Sequence, residues 1–153
     1  MSFQTLILTI DERQIATLTL NRPDVHNVLS LEMIRELRKA VSDLNTNQEV
    51  RAVILAGSGK SFCAGADLHW MQEMVGQKRE DRIAQATELS EMLGELDQLS
   101  KPLIGRINGL SFGGAVGLIA CCDIAVAVED ALFSLTEVLL GLPPATISPF
   151  VLR

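Results

Sequence analysis

Several stretches of the 153-residue sequence hold residue types that could do chemistry. Gly109-Leu110-Ser111-Phe112-Gly113 matches G-x-S-x-G, with a strand-like run before it and a helix-like run after it. That context fits a nucleophile elbow with Ser111 as nucleophile. Such a hydrolase needs its acid and its histidine later in the chain, whereas His26 and His69 both precede Ser111. Gly59-Lys60-Ser61 spells the end of a phosphate-binding loop. The first glycine of such a loop would fall on Ile54, a β-branched residue inside an apolar run. A plain turn out of a strand is the better reading there.

Main-chain groups offer a different chemistry. Gly113 and Gly114 sit where a helix begins, so the first amides lack an internal partner and lie at the positive end of the helix dipole. In Cys63-Ala64-Gly65-Ala66-Asp67-Leu68 the small side chains stay out of the way and Asp67 can cap the turn that follows. Two amides from separate loops that converge on one oxygen make an oxyanion hole. From spacing alone, tight turns whose glycines serve close packing are the slightly better reading of both stretches. Glu137, in Leu135-Thr136-Glu137-Val138-Leu139, is the acid–base candidate, because apolar neighbours predict a setting in which a carboxyl can give and take a proton. Asp123 reads as a turn or capping residue. Trp70, Met71 and Met74 follow at helical spacing and read as core or as a pocket wall.

Bulk properties exclude other classes. A net charge of -6 argues against a nucleic-acid surface or a polybasic membrane contact. Cys63, Cys121 and Cys122 form no C-x-x-C, so they read as buried thiols of a reducing, cytoplasmic protein. His26 and His69 lack partners at metal-ligand spacing, and no metal is expected. Residues 107–122 carry no charge but fall short of the ~20 apolar residues of a membrane span. They are expected to form a buried core helix.

The elements that must position these groups follow from periodicity. Residues 4–10 and 15–20 predict a hairpin. From Ser30, a predicted N-cap, Leu31, Ile34, Leu37, Val41 and Leu44 recur every three or four residues and predict a helix. Residues 51–57 predict a buried strand. Ile83, Ala86, Leu89, Leu93, Leu96 and Leu99 predict a second long helix, ended by Ser100-Lys101-Pro102. Further on come a strand, a helix opened by Gly113 and Gly114, another strand, then a short strand and a helical turn around Glu137. Alternating strands and helices predict an α/β fold, and 48% hydrophobic residues without a composition break predict one domain over 1–153. The sequence stops on the apolar run Ile147–Leu152 and reads as cut short.

"NRPDVHNVLS", "SFCAGADL", residues 108–142 and "ATISPFV", in that order, resemble the enoyl-CoA hydratase/isomerase (crotonase) family, most closely its methylglutaconyl-CoA hydratase branch. The resemblance implies a spiral of repeated strand-strand-helix units, an acyl-CoA thioester substrate, no cofactor beyond the coenzyme A of that substrate, and a homo-trimer or hexamer. It implies that the amides of Ala66 and Gly114 bind the thioester oxygen, that Glu137 is the acid–base, and that Arg22, His26, Val28 and Ala64 line the coenzyme A site. Asp67, Leu68, Gly113 and Gly117 join them as substrate-binding candidates. The family's C-terminal helical region, which completes pocket and trimer, is missing from this sequence. Many family hydratases carry a second glutamate where this sequence has Gly117, a departure that brings double-bond isomerisation into view as an alternative; the shortened end does the same for a non-catalytic acyl-CoA-binding or assembly subunit. Gly117 is expected to make room for a substrate that carries its own carboxylate.

Overall fold

The computed structural model describes residues 3–152; Met1, Ser2 and Arg153 lie outside the described residues. Strands β1 (Leu6–Ile10) and β2 (Ile15–Leu20) pair antiparallel, so the predicted hairpin is present. Asp11 closes its turn, with Oδ1 accepting from the amides of Arg13 and Ile15 at 2.9 Å. Alternation along β2 buries Ala16, Leu18 and Leu20 on one face. Helix α1 (Leu31–Thr46) follows, and Ser30 caps it by accepting from the Met33 amide. Its buried stripe of Met33, Ile34, Leu37, Ala40, Val41 and Leu44 belongs to one core with Leu18, Leu55 and Phe62.

Three strand-strand-helix units then succeed one another. The first holds β3 (Ala52–Gly57), β4 (Ser61–Cys63) and α2 (Leu68–Val75). The long helix α3 (Arg79–Asp97) leads to the second: β5 (Leu103–Ile107), β6 (Leu110–Phe112) and α4 (Gly114–Ala120). The third holds β7 (Ile124–Ala127), β8 (Phe133–Ser134) and the 3-10 turn Thr136–Leu140, and a short helix α5 (Ser148–Val151) comes last. The first strand of each unit extends a five-stranded sheet ordered β1-β2-β3-β5-β7, and the second extends a three-stranded sheet ordered β4-β6-β8. Apart from the β1–β2 hairpin all neighbours are parallel. Each unit thus moves one strand along both sheets. This is the expected spiral.

Two expectations change. Residues 107–122 are not one core helix: the end of β5, the turn at Gly109, β6 and α4 share them. Among the described residues no helix is long and apolar enough to cross a membrane. The stripe predicted along α3 is buried only at its C-terminal end, at Met92, Leu93 and Leu96. Ile83 and Ala86 are exposed, Leu89 is half-buried, and Leu99 lies beyond the helix end. The spacing was helical, but the first half of the helix finds no core to face.

Candidate functional site

The segment from Arg22 to Leu29 leaves β2 and runs beside the segment from Ala64 to Asp67. His26 and Asn27 take positive φ (54° and 55°), a conformation asparagine tolerates better than most. Asn27 is fully buried and acts as the hub of this crossing. Its Oδ1 accepts from the Arg22 amide, and its Nδ2 donates to the carbonyls of Ser58, Ser61 and Phe62. Sequence reasoning passed over Asn27; the signal was an amide side chain in a turn just before an apolar run. Beyond it, the Ala64 amide donates to the His26 carbonyl, Leu29 to Gly65, and Asp67 to Leu29, at 2.8–3.0 Å. The Leu29–Ala66 contact is a one-residue parallel bridge that leaves the Ala66 amide out of its ladder.

Arg22 and Asp67 pin this crossing together. The Arg22 guanidinium donates to the Val28 carbonyl and to Asp67 Oδ2, both at 2.9 Å. Asp67 in turn caps α2 by accepting from the His69 amide. Burial opposes its charge, but Arg22 and the His69 and Trp70 amides outweigh that and hold the carboxyl below its usual range. The coenzyme A candidates Arg22, His26, Val28 and Ala64 therefore form one wall beside Ala66, although the Arg22 head is already paired. His26 is exposed, with Nδ1 2.9 Å from Ser61 Oγ. Leu68 is 58% exposed and lies outside the cavity described next.

Gly65 and Gly113 bring the second loop against the first. A Cβ on Gly65 (φ 92°) would lie 2.7 Å from the Phe112 carbonyl oxygen and 3.6 Å from the Gly114 nitrogen. Gly113 (φ 52°) donates its own amide to the Ser134 carbonyl, and this joins the start of α4 to β8. Both glycines are needed: one for the approach of two backbones, the other for a positive φ that side chains rarely adopt. The amides of Ala66 and Gly114 have no acceptor among the described residues. Both residues line a cavity of about 170 Å³, together with Glu137. Glu137 Oε1 lies 3.4 Å from where a Gly113 Cβ would stand, and Oε2 is buried without a hydrogen-bond partner. An unpaired buried carboxylate oxygen costs stability, so a group that enters the cavity and bonds to it is favoured.

The cavity's apolar walls come from further elements. Trp70, Met71 and Met74 of α2 face Leu89 of α3, and the Leu142–Ile147 segment closes the far side. The sequence neighbours expected to surround Glu137 do not: Val138 and Leu139 are exposed. The turn after Gly141 supplies the apolar setting instead, and its Gly-Leu-Pro-Pro signal was legible. Gly117 does not line the cavity. A Cβ there would stand 2.5 Å from Ile147 Cγ2, so Ile147 fills the space in which open room was expected.

The nucleophile-elbow reading fails on geometry. Ser111 is fully buried, its hydroxyl donates to the Gly109 carbonyl, and His26 is partnered with Ser61. Asp123 accepts from the Leu103 amide through Oδ2 and so joins two strand starts, as a structural residue would. The three cysteines are free thiols, pushed up to about 12 by burial. No group of three or more metal-ligating side chains occurs among the described residues.

Residues 11–153 match the enoyl-CoA hydratase/isomerase family model. An enoyl-CoA hydratase of Alternaria alternata is 41% identical over 134 residues, covering 88% of this chain and 43% of that protein. A peroxisomal Δ(3,5)-Δ(2,4)-dienoyl-CoA isomerase of Arabidopsis thaliana is 37% identical over 130 residues, covering 79% of this chain and 47% of that one. The crystal structure of an enoyl-CoA hydratase from Shewanella pealeana superposes with a TM-score of 0.94 at 41% identity, over 97% of this chain and 56% of that chain. The chain spans about half the length of the relatives it matches.

Proposed function

Because the chain belongs to the enoyl-CoA hydratase/isomerase family and has the crotonase fold, we propose that its cavity receives the acyl group of a 2-enoyl-CoA thioester and serves hydration of the double bond. One observation carries the reading: two unpaired amides, Ala66 and Gly114, share a cavity with the unpaired buried oxygen of Glu137. In this reading the thioester oxygen accepts from both amides. Negative charge grows on that oxygen as water attacks C3, and fixed donors in a water-poor site stabilise it. Glu137 takes a proton from the attacking water, and the carboxyl returns a proton to C2, so that one water is added in all.

Among the described residues no side chain that lines the cavity is cationic. That supports a compact, uncharged acyl group over 3-methylglutaconyl, whose second carboxylate would face Glu137 without a counter-charge. Coenzyme A binding along Arg22, His26, Val28 and Ala64 belongs to the same proposal. So does homo-trimeric or hexameric assembly, which the solvent-exposed Ile124, Val126, Phe133 and Leu139 support.

A second reading, Δ3-Δ2 isomerisation, is favoured by the single carboxylate in the cavity and by Ile147 seated on Gly117. One base suffices to move a proton from C2 to C4. Assays of 2-enoyl-CoA hydration, followed by loss of enoyl-thioester absorbance, and of 3-enoyl-CoA isomerisation separate the two. In Glu137→Gln the productive activity is expected to fall by about 10²–10⁴, with butyryl-CoA still bound. Butyryl-CoA binding by a wild type without either turnover would leave acyl-CoA binding as the function. Unchanged turnover in Glu137→Gln would remove Glu137 from the chemistry.

A further inference from the structure

The walls of the cavity are not equally fixed. The sheets hold the side formed by Ala66 and Gly114. The opposite side is α2 and the first half of α3, where apolar burial is scarce. Trp70 is the one buried residue of α2, and burial in α3 begins at Met92. Polar side chains hold the two helices instead. The Trp70 indole N–H donates to Gln85 Oε1 at 2.6 Å, and Gln85 Nε2 donates to Gln77 Oε1 at 2.7 Å. Gln85 therefore ties α2 and the linker after it to α3 from one position. Its neighbour Ala86 lines the cavity, as do Trp70, Met71 and Met74.

We infer that Gln85 is a specificity-determining positioning residue: through Trp70 and Gln77 it fixes the distance between α2 and α3 and so sets the length of acyl group the cavity accepts. The inference rests on the acyl-pocket reading above. Where little apolar area is buried, the local opening free energy is low, and a few hydrogen bonds decide the geometry. With both bonds made, Met71 and Met74 line one cavity with Leu89, and its volume stays near 170 Å³. Without them α2 can move outward and the cavity lengthens.

Trp70 is the only tryptophan of the sequence, and there is no tyrosine, so intrinsic fluorescence reports this contact alone. The variants are Gln85→Leu, which removes both bonds; Gln77→Ala, which removes one; and Gln85→Glu, which keeps the acceptor for Trp70. Each is read by emission maximum, acrylamide quenching and calorimetric binding of butyryl-CoA and octanoyl-CoA. Gln85→Leu is expected to shift emission to longer wavelength, to raise quenching, and to change the octanoyl-to-butyryl affinity ratio by about three- to tenfold in favour of octanoyl, within the net worth of the two bonds lost. Gln77→Ala should show a smaller change of the same sign, and Gln85→Glu should restore the emission. Thermal melts identify a variant that merely unfolds, in which case Gln77→Ala carries the test. Wild-type emission in a folded Gln85→Leu overturns the latch. Altered emission with an unaltered affinity ratio overturns its role in specificity. Absence of acyl-CoA binding in the wild type overturns the pocket reading itself, while the fluorescence still tests the contact.

Discussion

Helices α1 and α3 lie side by side and are bridged by Arg35–Glu88, Arg38–Glu91 and Arg38–Glu95 ion pairs, yet they are built differently. Both carry apolar residues at three- and four-residue spacing. α1 has a side-chain cap from Ser30 and buries a stripe along its length against the main sheet. The N-cap of α3, Lys78, makes no side-chain cap bond, and the helix buries residues only near its C-terminus. The part of α3 without fully buried side chains is the part that lines the cavity, through Ala86 and Leu89. Apolar anchoring and cavity lining are thus divided along one helix. In the proposed reading Ala86 and Leu89 are the residues of α3 that an acyl group would meet.

The largest effect that separates the two helices is expected in the core. Leu37→Ala on α1 should cost about 2–5 kcal/mol in denaturant unfolding, since Leu37 is fully buried and its loss leaves a cavity. Ile83→Ala on α3, where the side chain is 47% exposed, should change stability by less than about 0.5 kcal/mol. If Ile83→Ala costs as much as Leu37→Ala, the contrast between the helices is wrong.

Capping sharpens the same contrast at a smaller scale. Ser30→Ala should cost about 1 kcal/mol, because the Met33 amide loses its acceptor. Lys78→Ser supplies a cap where none exists and removes a cation from the positive end of the dipole, so it should add about 0.5–1 kcal/mol. Melting curves of the two variants should therefore move in opposite directions.

These cases show what the sequence carried. The hairpin, the capped α1, the strand over residues 51–57 and the helix opened by Gly113 were legible because each rests on local chemistry: turn residues, a cap, a period. Glu137 and the two free amides were legible as types, and their meeting in one cavity was expected from the resemblance. Of the small sheet only its last strand, Phe133–Ser134, was expected; the three-residue strands Ser61–Cys63 and Leu110–Phe112 were not legible, because so short a strand shows no period. Nor was the contact of Ile147 with Gly117, thirty residues apart in the chain, which depends on how two elements dock. The apolar stripe on the first half of α3 was legible as a helix but not as exposed. Spacing states which residues share a face and is silent on what that face meets.

The smallest effect lies in the ion pairs between the helices, and its pH dependence distinguishes a real tie from a chance contact. Arg35 donates to both carboxylate oxygens of Glu88 at 2.7 and 2.8 Å, and this hydrogen bonding, against the opposing effect of burial, holds Glu88 below its usual range. A carboxyl whose folded value is depressed contributes stability above its unfolded value, about 4.3, and loses it as pH falls through the folded value. The stability difference between wild type and Glu88→Gln should therefore be largest near neutrality and vanish towards strong acid. Arg35 is 60% exposed, so the plateau should stay below about 1 kcal/mol and shrink in molar salt. A difference that is independent of pH would mean that Glu88 contributes by packing on α3 and not through its ion pair with Arg35.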